Sequence, residues 1–222
     1  DLRPVNLVEL INEVWQIMER QAQQLGVTIS CDLSGIVHPS IVASPLHLKR
    51  LIMNIASNAV KYNKPGGAVR VTCTEHALEG EVATYDIVIA DTGIGMSPDF
   101  QARMFEPFAR EQQKDAEQAT GTGLGTAIAK QLAELMGGSV AYESSLGVGT
   151  TCTITLPLIV DLDAPSVPGG HHVSDTVTLE GLNVLLVEDN DLNREIAEFV
   201  LSNAGARVTC VDDGVEVVSA FV

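Results

Sequence analysis

The sequence is short of positive charge. Lys and Arg number 13 against 29 Asp and Glu, a formal net charge of -16. A polynucleotide backbone would be repelled, so no nucleic-acid partner is expected, although a single nucleotide needs only a local site. Long apolar runs are missing too. None reaches the length that a bilayer-spanning helix requires, and no charged-then-apolar leader opens the chain, so no signal peptide is read. Cysteine is scarce: Cys31, Cys73, Cys152 and Cys210 lie far apart with no C-x-x-C spacing. That usage fits reduced, mostly buried thiols of a cytosolic protein. What is present is a 45% share of hydrophobic residues, enough for one large domain or two modest ones.

Helical spacing of Leu7, Leu10, Ile11, Val14, Ile17 and Met18 predicts a helix over 7–25. Alternation predicts a strand over 27–33. Ser44-Pro45 reads as an N-cap followed by proline at the first helical position. The helix it opens runs to about residue 62, with Leu48, Leu51, Ile52, Ile55 and Ala59 as its buried stripe. Residues 64–67 make a turn, and 69–74 and 82–90 read as consecutive strands. Residues 109–120 carry almost no large apolar side chain and read as a surface loop. A further helix carries Ile128, Leu132, Leu135 and Met136 on one face and stops at Gly137-Gly138. Strands near 139–143 and 150–156 complete a first domain over 1–158. Residues 159–179, rich in Pro, Gly and small polar residues, read as a linker. His171-His172 lies within it, and without a third ligand the pair reads as linker and not as a metal site. The run 182–187 is nearly all apolar, as in a strand buried on both faces. A helix over 190–204 and a strand over 207–211 give a βαβ order within 180–222.

Several short motifs carry chemistry. Asn54, Asn58, Lys61 and Tyr62 fall at i, i+4, i+7 and i+8, one face of a helix turned away from the apolar stripe. A solvated face would look the same. As a site, an asparagine oxygen suits Mg²⁺, Lys61 suits phosphate and Tyr62 can lie against a base. Asp91, at a strand end, can accept a hydrogen bond from an exocyclic amine. The Gly93 and Gly95 that follow permit close backbone approach, although DTGIG is also compatible with an ordinary turn. The G-x-G-x-G of Gly121, Gly123 and Gly125, with Thr122 and Leu124 between them, fits neither the dinucleotide fingerprint nor the P-loop. It does open a helix, whose free N–H groups and positive dipole end favour an anion.

Taken in order, the Asn/Asn/Lys/Tyr helix, DTGIG, FEPF (residues 105–108), the polar loop, GTGLG and GVGT (residues 147–150) resemble the ATP-binding domain of sensor histidine kinases. The resemblance covers about residues 1–158 and implies a two-layer α/β sandwich of the Bergerat type, three helices on one face of a mixed sheet. It implies a site for ATP and Mg²⁺. In that site Asn58 holds the metal, and Asn54 and Lys61 lie near phosphate. Tyr62 meets the base and Asp91 the adenine amine, with Thr150 of the last box beside them. Residues 109–120 become a lid hinged at Gly121, Gly123 and Gly125. Three departures stand out: Ser44 for a frequent Asp, His47 for a common Arg, and Thr126 for an apolar residue. The wider superfamily includes topoisomerases, a heat-shock chaperone and mismatch-repair ATPases. These place Glu four residues before the metal-binding Asn to activate water. Here that position is Asn54, which favours transfer to another nucleophile over hydrolysis.

In the second segment, Glu188 and Asp189 stand at the carboxyl end of the apolar strand, where open α/β sheets bind ligands and where paired carboxylates suit Mg²⁺. With Asn193-Arg194, Gly205 and Asp213-Gly214 they resemble the receiver domain of response regulators, as a partial flavodoxin-like βαβ segment. Its phosphoacceptor Asp and later Lys are not in the sequence, and strand one is expected to show an unpaired edge.

The implied protein is a hybrid sensor histidine kinase, a homodimer, with this part cytoplasmic and the parent anchored in a membrane. Its partners are a helical dimerisation and phosphotransfer domain and a downstream response regulator or phosphotransfer protein. None of His38, His47, His76, His171 or His172 has the setting of a phosphoacceptor, so the chain is expected to bind ATP without phosphorylating itself. A hydrolysing clamp and a non-catalytic nucleotide sensor are the alternatives.

Overall fold

Two capped helices form the frame of the first unit in the computed structural model of the chain. The side-chain oxygen of Asn6 accepts the N–H of Glu9 at 3.1 Å and opens α1 (Leu7–Gln24). Ser44 accepts the N–H of His47 at 3.4 Å, with Pro45 next, and opens α2 (Pro45–Lys61). The predicted stripe of α2 is buried, joined by Met53, Ala56 and Val60. The described residues are 2–106, 109, 124–162, 164, 179, 181–188, 194, 197, 198, 201, 202 and 205–211. The chain divides into two compact units, Asp1–Ala164 and Pro165–Val222.

The sheet of the first unit comprises β1 (Arg3–Asn6), β2 (Thr28–Gly35), β3 (Ser40–Ala43), β4 (Ala68–Glu75), β5 (Val82–Asp91), β6 (Ser139–Ser145) and β7 (Gly149–Val160). Its order is β1-β3-β7-β5-β4-β2, with β6 also on β7. Only the β2–β4 pair is parallel. The spine is β5–β7, in register from Val82↔Ile159 to Asp91↔Thr150. One face is sealed: Ala83, Tyr85, Ile87 and Ile89 of β5 and Cys152, Ile154 and Leu156 of β7 are at most 2% exposed. The alternate residues, Thr84, Asp86, Thr153 and Thr155 among them, are partly open to solvent, as period-2 alternation requires. Helices α1, α2 and α4 (Gly125–Leu135) cover the sealed face, giving the expected two-layer sandwich.

Several particulars differ from the sequence expectation. β1, β3 and a short helix α3 (Pro98–Gln101) are additional. Strands of four residues offer too little alternation to register, and Pro4 is tolerated because β1 is an edge strand. β7 runs on to Val160, so residues 159 and 160 are not linker; they pair with Val42 and Ile41 of β3. On α4 the buried residues are Ala127, Ala129 and Ala133, whose small side chains let the helix lie close to α2. The larger Ile128, Leu132 and Met136 are only partly covered, and Leu135 is 69% exposed. Gly137, at φ 75°, ends the helix as expected.

In the second unit β8 (Asn183–Val187) and β9 (Arg207–Val211) are parallel, and Arg194, Ala197, Glu198, Leu201 and Ser202 between them are helical. The expectation that β8 is buried on both faces is corrected: Val184, Leu185 and Leu186 are half-buried and Val187 is 45% exposed. Among the described residues β8 pairs with β9 alone, so its other edge has no neighbour to cover it. His171 and His172 lie outside the described residues.

One polar cluster fixes the end of the sheet where β4 finishes. Glu75, its side chain 3% exposed, accepts N–H groups of Val37 and His38 at 2.7 and 2.6 Å and meets the His38 ring at 2.5 Å. Tyr85 donates its hydroxyl to the His38 carbonyl at 2.7 Å. Burial alone would push the Glu75 carboxyl up, but the His38 ring and these N–H donors together hold it below its usual value. The stabilisation it brings is present above the unfolded value of about 4.3 and is lost as pH falls through the lower folded value. Glu75→Gln should therefore cost about 1–3 kcal/mol at pH 7. In thermal melts over a pH series, the gap between variant and wild type should narrow toward pH 3.

Candidate functional site

The C-terminal half of α2 and the first turn of α4 face each other. A Cβ added to Gly125 would come 3.6 Å from Asn58 Nδ2 and 3.8 Å from Asn54 Oδ1. Those are ordinary contact distances, so the protein's own packing tolerates a side chain at Gly125; the position is bare beside two carboxamides. Asn54 Nδ2 is buried and has no hydrogen-bond partner among the described residues. A buried, unsatisfied donor is costly unless something else accepts from it. At the start of α4, Leu124 supplies no side-chain cap, and the first intrahelical bond is Ile128 N–H to Leu124 O at 2.9 Å. The N–H groups of residues 125–127 thus precede that bond, at the positive end of the helix. The orphaned amide, the bare glycine and the uncapped helix all suit an anion. On the next turn of α2, Lys61 Nζ lies 5.4 Å from the Tyr62 ring centre, and Tyr62 is 40% exposed.

The second half of the site grows from Asp91. Its Oδ1 accepts N–H of Gly93 at 2.8 Å and of Thr150 at 3.2 Å, tying the DTGIG loop to the start of β7. Both bonds fall on one oxygen, and Oδ2 makes no hydrogen bond among the described residues. Burial pushes the carboxyl up, against the lowering effect of the two N–H donors. Gly93 and Gly95 have a structural explanation. A Cβ on Gly93 would strike the Tyr62 carbonyl, and one on Gly95, at φ 67°, would strike the Ser145 carbonyl. The close approach they permit is therefore to the protein's own backbone, consistent with Ile94 N–H bonding Tyr62 O at 3.1 Å and Gly147 N–H bonding Ile94 O at 2.7 Å. Through these bonds the loop locks α2 to the β6–β7 hairpin.

Sequence reading does not mark two residues that hold this arrangement. Ser144 Oγ accepts the Met96 N–H at 2.8 Å and lies 2.9 Å from Thr150 Oγ1, while Gln101 Nε2 donates to the carbonyls of Met96 and Ser144. Their signal is the β6–β7 register, Ser144↔Thr150, which no local motif reveals. Phe105, the described aromatic of FEPF, packs edge-on to Tyr142 at 5.8 Å with Lys130 above its ring at 4.8 Å. The structure thus brings Asn54 and Asn58 to Gly125 across α2 and α4, with Leu124 at the N-cap position of α4. It also joins Asp91 to Thr150, with Gly93 and Gly95 in the loop between α2 and the hairpin. Gly121, Thr122, Gly123 and Asp189 lie outside the described residues. Glu188 stands just past β8, its N–H bonded to Val211 O at 3.2 Å.

Comparisons with known proteins identify the family and the fold. The family model described as histidine kinase-, DNA gyrase B-, and HSP90-like ATPase matches residues 43–160. The virulence sensor protein BvgS of Bordetella bronchiseptica is 32% identical over 96% of this chain, and the chain spans 18% of that protein. The aerobic respiration control sensor protein ArcB of Escherichia coli is 31% identical over the whole chain, which spans 28% of ArcB. Among solved structures, full-length ShkA in complex with AMPPNP is similar with a TM-score of 0.59 and 29% identity, covering 99% of this chain and 42% of that one.

Two substitutions test the two halves of the site. In Asp91→Asn the backbone donors should claim Oδ1 and turn the amide NH₂ toward any incoming amine. Nucleotide affinity should then fall at least tenfold, while the folded apo protein becomes slightly more stable at pH 7. The sign follows from the raised carboxyl. Its ionisation costs stability once pH climbs from the unfolded value of about 3.9 through the higher folded one. Gly125→Ala should leave the apo melting temperature unchanged or raised, since Ala favours helix, yet weaken ATP binding. Titration calorimetry and melts read both.

Proposed function

The chain belongs to the family of histidine kinase-, DNA gyrase B- and HSP90-like ATPases, and on that footing we propose that it is the ATP-binding catalytic part of a hybrid sensor histidine kinase. In this reading the γ-phosphoryl of ATP passes to a histidine on a helical dimerisation domain. The observation that carries the choice of kinase over hydrolase is Asn54. Its carboxamide occupies the position from which hydrolytic members of the superfamily activate water with Glu, and an amide cannot take a proton from water. Its buried, unpartnered Nδ2 is instead a donor suited to a phosphate oxygen.

The other residues take roles that their chemistry permits. Asp91 accepts from the adenine amine through its free oxygen, and Tyr62 flanks the base. Asn58 offers an oxygen to Mg²⁺, and Lys61 neutralises phosphate charge. The start of α4, with Gly125, faces the phosphates. Mg²⁺ bound with ATP would offset charge that builds on the transferring phosphoryl group; the protein's part is positioning and exclusion of competing nucleophiles. The row Ile128, Leu132, Leu135 and Met136 runs along α4 away from the phosphate end as a partly exposed apolar surface, suited to a helical hairpin bearing the acceptor. Glu188 and Asp189 would hold Mg²⁺ in a receiver that passes the phosphoryl group onward to a response regulator or phosphotransfer protein. No described helix is long and apolar enough to cross a membrane, and the reading places this part on the cytoplasmic side.

Incubation with labelled ATP and Mg²⁺ tests the proposal. The chain alone should stay unlabelled and turn ATP over slowly, while a separately supplied helical-hairpin domain with its histidine becomes labelled. Rapid hydrolysis without acceptor would identify a clamp instead, and stable labelling of the chain itself would overturn the assignment. Leu135→Lys should reduce transfer to the hairpin while leaving ATP affinity intact.

A further inference from the structure

Thr126 stands where the family resemblance leads one to expect an apolar side chain, and its hydroxyl has a definite partner. Thr126 Oγ1 donates to the Met104 carbonyl at 2.6 Å. The acceptor is firmly held. Met104 is 2% exposed, the N–H of Glu106 bonds Arg103 O at 2.9 Å, and Phe105 is packed between Lys130 and Tyr142. The donor sits in the first turn of α4, next to Gly125, which faces Asn54 and Asn58. Packing below this turn is through alanines, which fix the distance between α4 and α2 but offer no directional contact against rotation or sliding. No side chain caps the turn either.

We propose that Thr126 is a positioning residue for the nucleotide site. Its bond to the Met104 carbonyl sets the rotation of α4, and so aims the N–H groups of residues 125–127 at the phosphate end. Its hydroxyl is committed to a neighbouring segment, and Leu124 at the N-cap position gives the helix start no side-chain cap. The inference rests on the nucleotide reading of the site. It concerns the phosphates and not the base, which Asp91 serves from the other side. Removing the hydroxyl should loosen phosphate alignment and leave base recognition untouched.

The test compares Thr126→Val, Thr126→Ala and Thr126→Ser in the 222-residue chain, measuring apo melting temperature and affinities for Mg²⁺-ATP and for AMP. Loss of one hydrogen bond predicts ATP affinity about fivefold weaker in the Val and Ala variants, with AMP affinity unchanged and Ser restoring ATP binding. If Val unfolds, Ala carries the comparison, since it removes the same hydroxyl without a branched side chain. Equal loss of ATP and AMP would show an ordinary packing defect and overturn the proposal. So would wild-type ATP affinity in Val and Ala, or failure of Ser to restore it. Asn58→Ala is the control that separates the two readings. If it binds ATP as wild type does, the nucleotide assignment itself fails; if it loses ATP while Thr126→Val does not, only the role of Thr126 fails.

Discussion

One carboxylate oxygen organises the candidate site. Asp91 Oδ1 receives backbone N–H groups from Gly93, two residues ahead, and from Thr150, across the sheet on β7. The first bond turns the chain sharply as it leaves β5. The second joins that turn to the strand that also carries β6. From there the backbone of residues 92–96 can bridge the end of α2 on one side and the β6–β7 hairpin on the other. Without this bond the loop would lose the tie that sets its exit from β5, leaving its link between α2 and the hairpin to the bonds of Ile94, Met96 and Gly147. The same geometry leaves the second oxygen of Asp91 without a hydrogen bond among the described residues, so the residue that builds the loop keeps one acceptor uncommitted.

A division of labour follows from the two layers. The sealed face of the sheet holds α1, α2 and α4 by apolar contact, which is strong but non-directional. Directional control comes from a few hydrogen bonds placed where the layers end: Asp91 and Ser144 beside the site, Thr126 at the start of α4, and the Glu75–His38–Tyr85 cluster at the finish of β4. Helix spacing is set by small side chains, most clearly the three alanines of α4. The larger residues of that helix are consequently turned toward solvent, where they form a surface and not a core.

Much of this was legible in the residues. Both long helices announce themselves through their apolar stripes, and α2 also through its Ser44-Pro45 cap, while the strand-end position of Asp91 follows from the alternation of β5. The pairing of Asn54 and Asn58 on one face is simple helical arithmetic, and its meaning came from the order of motifs along the chain. Other features were illegible for physical reasons. Strands β1 and β3 are four residues long and gain their stability from neighbours distant in sequence. On α4, apolar periodicity marks a face but not which of two faces is buried; the alanines win because they allow closer approach. The burial of β8 depends on strands beside it, which its own composition cannot report. Ser144 and Gln101 act through the register of a hairpin, and Thr126 through a carbonyl 22 residues away.

The clash that any side chain would meet at Gly93 or Gly95 bears on how lineages of such domains decay. These glycines answer to the protein's own backbone, so a descendant that abandoned nucleotides would still have to keep them in order to fold. Among the described residues Asn54 and Asn58 answer to no internal partner of that kind and would be free to drift. Gly93 and Gly95 are thus evidence of architecture alone, whereas Gly125 meets no such clash, and a silent copy of this domain would betray itself first at its asparagines and at that glycine.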